Sequence, residues 1–220
     1  MAQENGKIFA IGDIHGVYGK LRDLLDRLPY SPGRDRLVFL GDYLDRGPDS
    51  ARVLDLLCEV KRRDPDTIAL LGNHEYLLLE YYRSGDPILL PYLRSMGLDA
   101  TLHSYGLSNG FNLRTLDFLP QEHLTFLQNL LPYWESSHYI FVHAGLEPGI
   151  PLAANDLPTL CEARETFLTL DHDFGKKVIF GHTSFELPLV TPTKIGIDTG
   201  AMHDNLLTAI QLPDEIFFHA

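Results

Sequence analysis

Aspartate, histidine and asparagine side chains recur in five short glycine-containing segments of this 220-residue sequence. In chain order these five polar loops are 12–16 (Gly-Asp-Ile-His-Gly), 41–47 (Gly-Asp-Tyr-Leu-Asp-Arg-Gly), 72–75 (Gly-Asn-His-Glu), 143–145 (His-Ala-Gly) and 181–183 (Gly-His-Thr). Any one of them could be an ordinary polar turn. Together they offer carboxylate, imidazole and amide ligands without cysteine, a donor set that favours divalent ions such as manganese, iron or zinc.

The five polar loops carry more candidate ligands than a single ion needs when it keeps a position open for water. A carboxylate can bridge two ions, and Asp42 is best placed to do so because its loop follows the middle strand of three predicted strands. Two ions roughly 3.5–4 Å apart would generate a hydroxide at neutral pH and neutralise phosphoryl oxygens. The loops therefore indicate a two-metal site at which an acidic protein could bind an anion.

Short apolar runs precede the loops and predict the strands that position them. Runs 7–11, 36–40 and 67–71 are each followed by a polar loop and then by apolar residues at helical spacing. A strand–loop–helix unit repeated about every 30 residues implies neighbouring parallel strands. In open α/β sheets the carboxyl ends of such strands form the binding crevice. We therefore expect residues far apart in the sequence to meet in one crevice.

The rest of the chain predicts the outer parts of one domain that spans residues 1–220. Residues 84–138, interrupted by turn signals such as Asn109-Gly110, are expected to form a mostly helical cap with a helix over 121–130. Strands at 139–142 and 178–180 end in two of the polar loops, and a helix is predicted over 156–170. The last forty residues are expected to be short strands that pair antiparallel in a second sheet. The predicted architecture is two packed sheets with helices outside.

Composition narrows the partners and the location. A formal net charge of −12 argues against a nucleic-acid backbone or an anionic membrane as the main partner. The only two cysteines, Cys58 and Cys161, have no paired-ligand spacing, which is typical of a reducing compartment. The first seven residues do not resemble a signal peptide, and no apolar stretch approaches the roughly 20 residues that span a bilayer. We expect a soluble cytoplasmic protein, and its oligomeric state stays open.

The five polar loops appear in the order found in phosphoprotein-phosphatase-type metallophosphoesterases. The chain resembles the compact bacterial and phage branch of that group, often labelled serine/threonine protein phosphatases, from about residue 7 to the Ile-Asp-Thr-Gly-Ala segment at 197–201. The resemblance implies an α/β chain with the calcineurin-like metallophosphoesterase fold. That fold has two packed mixed β-sheets flanked by helices, an αββα sandwich, with a small helical cap. It also implies two divalent metal ions, of which manganese is the leading choice, with iron or zinc as alternatives.

The resemblance implies a role for each motif residue. The first ion would be held by Asp13, His15 and Asp42, and the second by Asp42, Asn73, His143 and His182. A hydroxide bridging the two ions would attack phosphorus in line, without a covalent enzyme intermediate.

The remaining motif residues would handle the proton and the phosphate. His74, oriented by Asp45, would protonate the leaving alkoxide. Arg46 and Arg164, together with Asn73, would bind the phosphate oxygens. The alternatives are that Arg46 simply pairs with Asp42 or Asp45 and that Arg164 lies on a surface helix. The related bacterial pattern usually has a tryptophan two residues before this arginine, whereas Glu162 occupies that position here. The departure concerns the local packing and the direction of the Arg164 side chain.

The resemblance favours a two-metal phosphomonoesterase that acts on phosphoserine or phosphothreonine in proteins. The near alternative is dinucleoside tetraphosphate hydrolysis, because those hydrolases share the same core. The symmetrical tetraphosphatases tend to lack the second aspartate of the 41–47 motif, and Asp45 is present here. A non-catalytic metal-binding interaction module is a further alternative, although no motif residue is missing. His203 follows the 197–201 segment closely and could approach the site.

Overall fold

The protein is described here by a computed structural model that covers residues 6–107, 113 and 115–220. The helices are α1 (Tyr18–Arg27), α2 (Ser50–Arg63), α3 (Asn73–Ser84), α4 (Leu89–Ser95), α5 (Leu98–Ser104), α6 (Gln121–Gln128), α7 (Leu157–Glu162) and α8 (Glu165–Thr169), with a short 3₁₀ helix at Leu152–Ala154. The strands are β1 (Ile8–Ile11), β2 (Arg36–Phe39), β3 (Ile68–Ala69), β4 (Tyr133–Glu135), β5 (Tyr139–Val142), β6 (Lys177–Phe180), β7 (Leu189–Val190), β8 (Lys194–Gly196), β9 (Thr208–Leu212) and β10 (Ile216–His219).

The strands form two mixed five-stranded sheets. The first sheet has the order β10-β9-β1-β2-β3, and the second has the order β4-β5-β6-β8-β7. In the first sheet β1, β2 and β3 run parallel, with Ile8 opposite Arg36 and Val38 opposite Ile68. In the second sheet β5, β6 and β8 run parallel. The parallel strand–loop–helix units predicted from the apolar runs are therefore present.

Alternate residues of β1 explain why the sheets are layered between helices. Ile8 and Ala10 face the cluster between the two sheets, whereas Phe9 and Ile11 face the cluster beneath the helices. All four are buried, as expected for a strand covered on both faces. The cluster between the sheets is completed by Val38, Leu40, Leu70, Phe141, Ile179, Ile195, Ile197, Ile210 and Leu212.

Helices cover the outer face of each sheet. Leu21 of α1, Val53 of α2 and Leu78 of α3 pack in the cluster against the first sheet. Leu160 of α7 and Phe167 of α8 pack against the second sheet. The layer order is helix, sheet, sheet, helix, which confirms the αββα sandwich.

The pairing of the last strands differs from the prediction. β7 and β8 belong to the second sheet, but β9 and β10 form a hairpin whose strand β9 pairs antiparallel with β1 in the first sheet. The prediction that all of these strands lie in the second sheet was wrong. Strand β1 has β2 on only one side, and the returning hairpin pairs with its other edge. Such a long-range partner is not visible in local apolar patterns.

The helix predicted over 156–170 is divided. It forms the short helices α7 and α8, because Ala163 and Arg164 leave the helical conformation, with φ −134° and ψ −91° at Arg164. The segment 84–138 contains α4, α5 and α6, and its last residues contribute β4 to the second sheet. The single-domain assignment and the cap boundaries stay predictions, and Asn109-Gly110 lies outside the described residues. Within the part of the chain that the structure covers, no helix is long and apolar enough to cross a membrane.

Candidate active site

Backbone hydrogen bonds bring the polar loops together at the ends of the parallel strands. The N–H groups of Ile14 and His15 donate to the carbonyl of Asp42 at 3.0 and 2.8 Å. Gly181 N–H donates to the carbonyl of His143 at 2.8 Å. The first pair joins the loops after β1 and β2, and the second joins the loops after β5 and β6. The expected crevice therefore forms where these strands end.

Glycines allow the loops to approach one another closely. A Cβ atom on Gly72 would lie 2.2 Å from Oδ1 of Asp42, and a Cβ on Gly47 would lie 2.1 Å from the carbonyl oxygen of His15. Both distances are far shorter than any non-bonded contact. The glycines beside the polar residues in the motifs are therefore required by loop packing.

The polar loops also hold several side chains on unusual backbone. Left-handed φ angles occur at His15 (46°), Asp42 (52°), Asp45 (68°), Arg46 (65°) and His182 (63°). Such conformations cost free energy for residues other than glycine and persist only where the surrounding structure enforces them. Their concentration in three of the loops is typical of a functional site.

Asp42 lies at the centre of the cluster. It belongs to two groups of possible metal ligands. One group is Asp42 with His15 and His74, and the other is Asp42 with His143 and His182; within each group the ligand atoms lie within 4.8 Å of one another. Its Oδ2 atom is 3.4 Å from Nε2 of His15, and its Oδ1 atom is 3.4 Å from Nε2 of His143. One carboxylate thus faces both groups, as a bridging ligand must.

Hydrogen bonds fix the orientation of two imidazoles. Nδ1 of His15 lies 2.9 Å from the carbonyl of Leu44, and Nδ1 of His143 lies 2.9 Å from the carbonyl of Leu40. A carbonyl only accepts, so each Nδ1 carries a proton, and Nε2, on the side of Asp42, is the ring atom available to bind a metal. This is the arrangement that metal-binding histidines commonly adopt.

The charge balance of the cluster calls for a cation. Burial lowers the pKa of His15 to about 3 and that of His182 to about 3, so both rings are neutral at pH 7. Nε2 of His182 is buried and has no hydrogen-bond partner among the residues that the structure covers. A buried carboxylate beside neutral imidazole rings is stabilised by nearby positive charge. The donor set therefore fits divalent metal ions.

Asn73 starts α3 beside the same cluster. Its side-chain amide lies 3.0 Å from Nδ1 of His182 and 3.2 Å from Nε2 of His143. With its nitrogen turned toward them, the amide also lies within donating distance of both carboxylate oxygens of Asp42, at 3.1 and 3.3 Å. With its oxygen turned inward, the same group would be a metal ligand.

Asp13 lies next to the cluster but outside the two groups around Asp42. Its carboxylate accepts the backbone N–H of His182, at 3.1 Å to Oδ1 and 3.0 Å to Oδ2. Burial, followed by the charges of Asp198 and Asp42, raises the pKa of Asp13 well above its usual range. Positive charge placed between Asp13 and Asp42 would relieve that repulsion.

His74 and Asp45 form a buried pair. Nδ1 of His74 lies 2.7 Å from Oδ2 of Asp45, and neither side chain is more than 2% exposed. Burial alone would lower the pKa of His74, but the charge of Asp42 and the hydrogen bond to Asp45 outweigh it and raise the pKa. A histidine held in this way keeps Nδ1 on the aspartate, so Nε2 is the ring atom that can exchange a proton with a substrate.

The two arginines differ in position. The Arg46 guanidinium reaches into the cluster, with Nη1 2.9 Å from Nε2 of His15 and Nη2 3.2 Å from Nε2 of His74. Arg164 is exposed at the break between α7 and α8. Its charge is a minor contribution, after burial, to the lowered pKa of His182. His203 is exposed in the turn after Gly200, and its role stays a prediction.

Two supporting groups were not singled out in the sequence. The buried carboxylate of Glu75 accepts the backbone N–H groups of Asp42 (3.0 Å), Tyr43 (2.9 Å) and Leu44 (3.1 Å). Thr101 of α5 donates its hydroxyl hydrogen to Oδ1 of Asp45 at 2.6 Å. Glu75 could have been found because it adjoins His74 in its motif. Thr101 lies in a segment without any motif, so its sequence carries no signal.

Known proteins that resemble this chain include several phosphoesterases. It is 28% identical to an asymmetrical bis(5'-nucleosyl)-tetraphosphatase, PrpE, of Oceanobacillus iheyensis, over 96% of this chain and 90% of that one. It is 34% identical to a symmetrical bis(5'-nucleosyl)-tetraphosphatase of Dechloromonas aromatica over 64% of this chain. It is 42% identical to serine/threonine-protein phosphatase 2 of Escherichia coli K12 over 36% of this chain.

These likenesses differ in extent. The chain spans 44% of the length of the D. aromatica protein and 34% of the E. coli protein. Among solved structures, a proposed diadenosine tetraphosphatase superposes with a TM-score of 0.72 and 23% identity, over 100% of this chain and 95% of that one. At that identity the structural match supports the fold alone.

The family comparison covers most of the chain. Residues 6–186 match the family described as calcineurin-like phosphoesterase, a range that contains all five polar loops. The architecture, the polar loops and this match agree, and the predicted resemblance is confirmed. The chain belongs to the calcineurin-like phosphoesterase family.

Proposed function

We propose that this protein is a metal-dependent phosphoesterase that hydrolyses dinucleoside tetraphosphates. Metal-dependent catalysis is supported above all by the position of Asp42 between two groups of histidine side chains. The substrate is supported by the nearly full-length likeness to an asymmetrical bis(5'-nucleosyl)-tetraphosphatase. The sequence resemblance alone favoured a phosphoprotein as the substrate, whereas the comparisons favour the alternative, a dinucleoside tetraphosphate.

Six side chains are proposed to hold two divalent ions. Asp13, His15 and Asp42 would bind the first, and Asp42, Asn73, His143 and His182 would bind the second. Such a pair of ions supplies a nucleophile from water at neutral pH and positive charge for the phosphoryl oxygens. Manganese is our proposed metal, with iron or zinc as alternatives, because ligands of oxygen and imidazole nitrogen without thiolate suit all three ions.

His74 is proposed as the general acid. Hydrolysis joins a water oxygen to phosphorus and breaks the bond from phosphorus to the leaving oxygen, which must then take up a proton. Asp45 holds Nδ1 of His74, so the proton for the leaving oxygen would come from Nε2. A nucleotide phosphate is a better leaving group than a serine alkoxide, so this proton matters less for a tetraphosphate than for a phosphoserine.

The cationic side chains are proposed to bind the substrate. Arg46 already lies at hydrogen-bonding distance from His15 and His74, within reach of the reacting phosphate. Arg164 would bind from the opposite side, next to His182, and the Asn73 amide would donate to a phosphate oxygen. A planar guanidinium suits two phosphate oxygens at once. These groups let a chain with net charge −12 accept a polyanion.

A side-by-side assay tests the substrate. Purified protein with Mn²⁺ is given diadenosine tetraphosphate, a phosphoserine peptide and nucleoside mono-, di- and triphosphates at matched concentrations. We expect the highest kcat/KM on diadenosine tetraphosphate, with a nucleoside triphosphate and a nucleoside monophosphate as products. A higher kcat/KM on the phosphopeptide would overturn the proposed substrate. Nucleoside diphosphate as the sole product would show symmetrical cleavage and would overturn the asymmetrical cleavage expected here.

The second candidate substrate is a phosphoserine or phosphothreonine protein. The intact His74–Asp45 pair favours it, because an alkoxide leaving group depends strongly on a proton donor. The likeness to serine/threonine-protein phosphatase 2 of E. coli K12 also supports it, over about a third of each chain. The same assay separates the two candidates.

A further inference from the structure

The turn that opens helix α5 packs directly on the loop after β2. Gly97 lies in this turn, and its carbonyl accepts the backbone N–H of Arg46 at 3.3 Å. A Cβ atom on Gly97 would lie 2.7 Å from that same nitrogen, so the two backbones are in close contact. One turn later, Thr101 is completely buried against Asp45. The predicted cap therefore touches both charged residues at the end of the 41–47 loop.

The Thr101 hydroxyl binds Asp45 at two points. Its Oγ1 donates to the carboxylate Oδ1 at 2.6 Å and accepts the backbone N–H of Asp45 at 2.8 Å. A carboxylate only accepts and a hydroxyl has one hydrogen, so the direction of the first bond is fixed. Ser50 Oγ lies 3.1 Å from Thr101 Oγ1 and must be the donor there. Thr101 thus joins the backbone and the side chain of Asp45.

The second carboxylate oxygen of Asp45 binds His74. Oδ2 accepts from Nδ1 at 2.7 Å, while Oδ1 is held by Thr101. The carboxylate is therefore fixed at both oxygens, one by the predicted cap and one by the imidazole. Because Asp45 has left-handed backbone (φ 68°), it needs such external support to keep its position.

From this geometry we infer that Thr101 is a positioning residue for proton transfer, acting through Asp45 on His74. The inference rests on the proposed role of His74 as general acid and extends it to helix α5. Removing the Thr101 hydroxyl frees one carboxylate oxygen and weakens the hold on the imidazole. The loss falls on the step that needs the proton, so it grows as the leaving group becomes more basic.

Two aryl phosphates provide the test. Phenyl phosphate has a basic leaving group and p-nitrophenyl phosphate has a much less basic one, while the phosphoryl group is the same. The variants are Thr101→Val, which removes the hydroxyl with little change of shape, and Thr101→Ser, which keeps it. His74→Ala reports the acid role itself. The matched control is Ser104→Ala. Ser104 Oγ accepts the N–H of Ala51 at 3.0 Å and donates to the backbone carbonyl of Thr101 at 2.7 Å, so it joins α5 to α2 without touching the Thr101 hydroxyl or Asp45.

We expect Thr101→Val to lower kcat on phenyl phosphate by roughly tenfold to a hundredfold, the effect of a lost hydrogen bond to a charged group. The loss on p-nitrophenyl phosphate should be clearly smaller, and Thr101→Ser should recover most of the activity. His74→Ala should show the same selectivity with a larger loss, and Ser104→Ala should affect both substrates equally. Should Thr101→Val not fold, Thr101→Ala makes the same comparison.

Two results would overturn the inference, one by showing that Thr101 has only a structural role and the other by showing that His74 is not the acid. If His74→Ala is selective but Thr101→Val lowers kcat equally on both substrates, then Thr101 is only structural. If His74→Ala itself is unselective, the proposed acid role is wrong and the positioning role falls with it. Melting temperatures of all variants show whether a general loss of activity reflects unfolding.

Discussion

At the scale of single residues, the loop at 41–47 brings together a central carboxylate, the partner of the proposed acid and an arginine. Its backbone is left-handed at Asp42, Asp45 and Arg46, so local preference alone would not keep it in place. Glu75 supplies the missing support because its carboxylate accepts three successive backbone N–H groups of the loop. The motif residue Glu75 therefore acts on the shape of its neighbour loop.

Replacing Glu75 tests that support. Glu75→Met keeps the size of the side chain but leaves three buried N–H groups without an acceptor. Each such group costs roughly 1–3 kcal/mol, so we expect the free energy of unfolding to fall by about 3 kcal/mol or more. Denaturant unfolding at neutral pH measures it.

Two comparisons complete this experiment. Glu75→Gln keeps one acceptor oxygen and should fall between the wild type and Glu75→Met. Glu80 lies on the same helix and pairs with Arg83 at 3.9 Å. Glu80→Gln should change the free energy of unfolding by less than about 0.5 kcal/mol. A Glu75→Met variant as stable as Glu80→Gln would contradict the assigned role of Glu75.

Residue types and spacing revealed part of this site. Asp42, His15, His143 and His182 could be predicted as site residues because they stand in short glycine-containing loops after apolar runs, and the structure brings their side chains close together. Thr101 could not be found, since its contact with Asp45 joins residues 56 positions apart and has no motif. Long-range hydrogen bonds of single hydroxyl groups leave no periodic trace in a sequence.

At the scale of elements, the strands and their loops followed from local patterns, whereas the partners of the last strands did not. Continuous apolar runs predicted β1, β2, β5 and β6, because strands covered on both faces bury every residue. The β9–β10 hairpin was misplaced because its partner β1 is about 200 residues away in the sequence. The break before α8 was not predicted either, since residues 157–169 contain no strong helix-breaking signal after Pro158.

Helix α8 depends on a buried lysine. Lys194 of β8 is 2% exposed, and its ammonium group donates to the carbonyls of Phe167 (2.6 Å), Leu170 (2.8 Å) and Leu168 (3.4 Å). These carbonyls lie at the end of the helix, where they have no partner within it. Because Arg164 directly precedes α8, Lys194 also holds the segment that carries this proposed phosphate-binding residue.

Lys194→Met should therefore affect both stability and substrate binding. Removing the ammonium group leaves the Phe167 and Leu168 carbonyls without this donor, whereas Leu170 keeps the N–H of His172 at 3.2 Å. The free energy of unfolding should therefore fall by roughly 1–3 kcal/mol. A looser α8 should raise KM for p-nitrophenyl phosphate more than it lowers kcat. Lys177→Met is the matched control, because among the described residues the ammonium group of Lys177 in β6 pairs with the partly exposed Glu215 alone. An unchanged KM in a folded Lys194→Met variant would rule out this coupling.

At the scale of the whole molecule, the sandwich places the charged loops at one edge while its core stays apolar. The cluster between the sheets is built from aliphatic and aromatic side chains, and the buried carboxylates Asp13, Asp42 and Asp45 lie where the strands end. A chain of net charge −12 gathers these carboxylates at the site that we propose binds a polyanion. That arrangement is electrostatically sound only if cations are bound among them.

The position of bound metal tests this account most directly. Crystals of the protein grown with Mn²⁺ would be measured for anomalous scattering at the manganese absorption edge. We predict two peaks roughly 3.5–4 Å apart, one on each side of the Asp42 carboxylate. The first should lie near His15 and Asp13, and the second near His143, His182 and Asn73. A single peak, or manganese bound away from Asp42, would contradict the two-metal site.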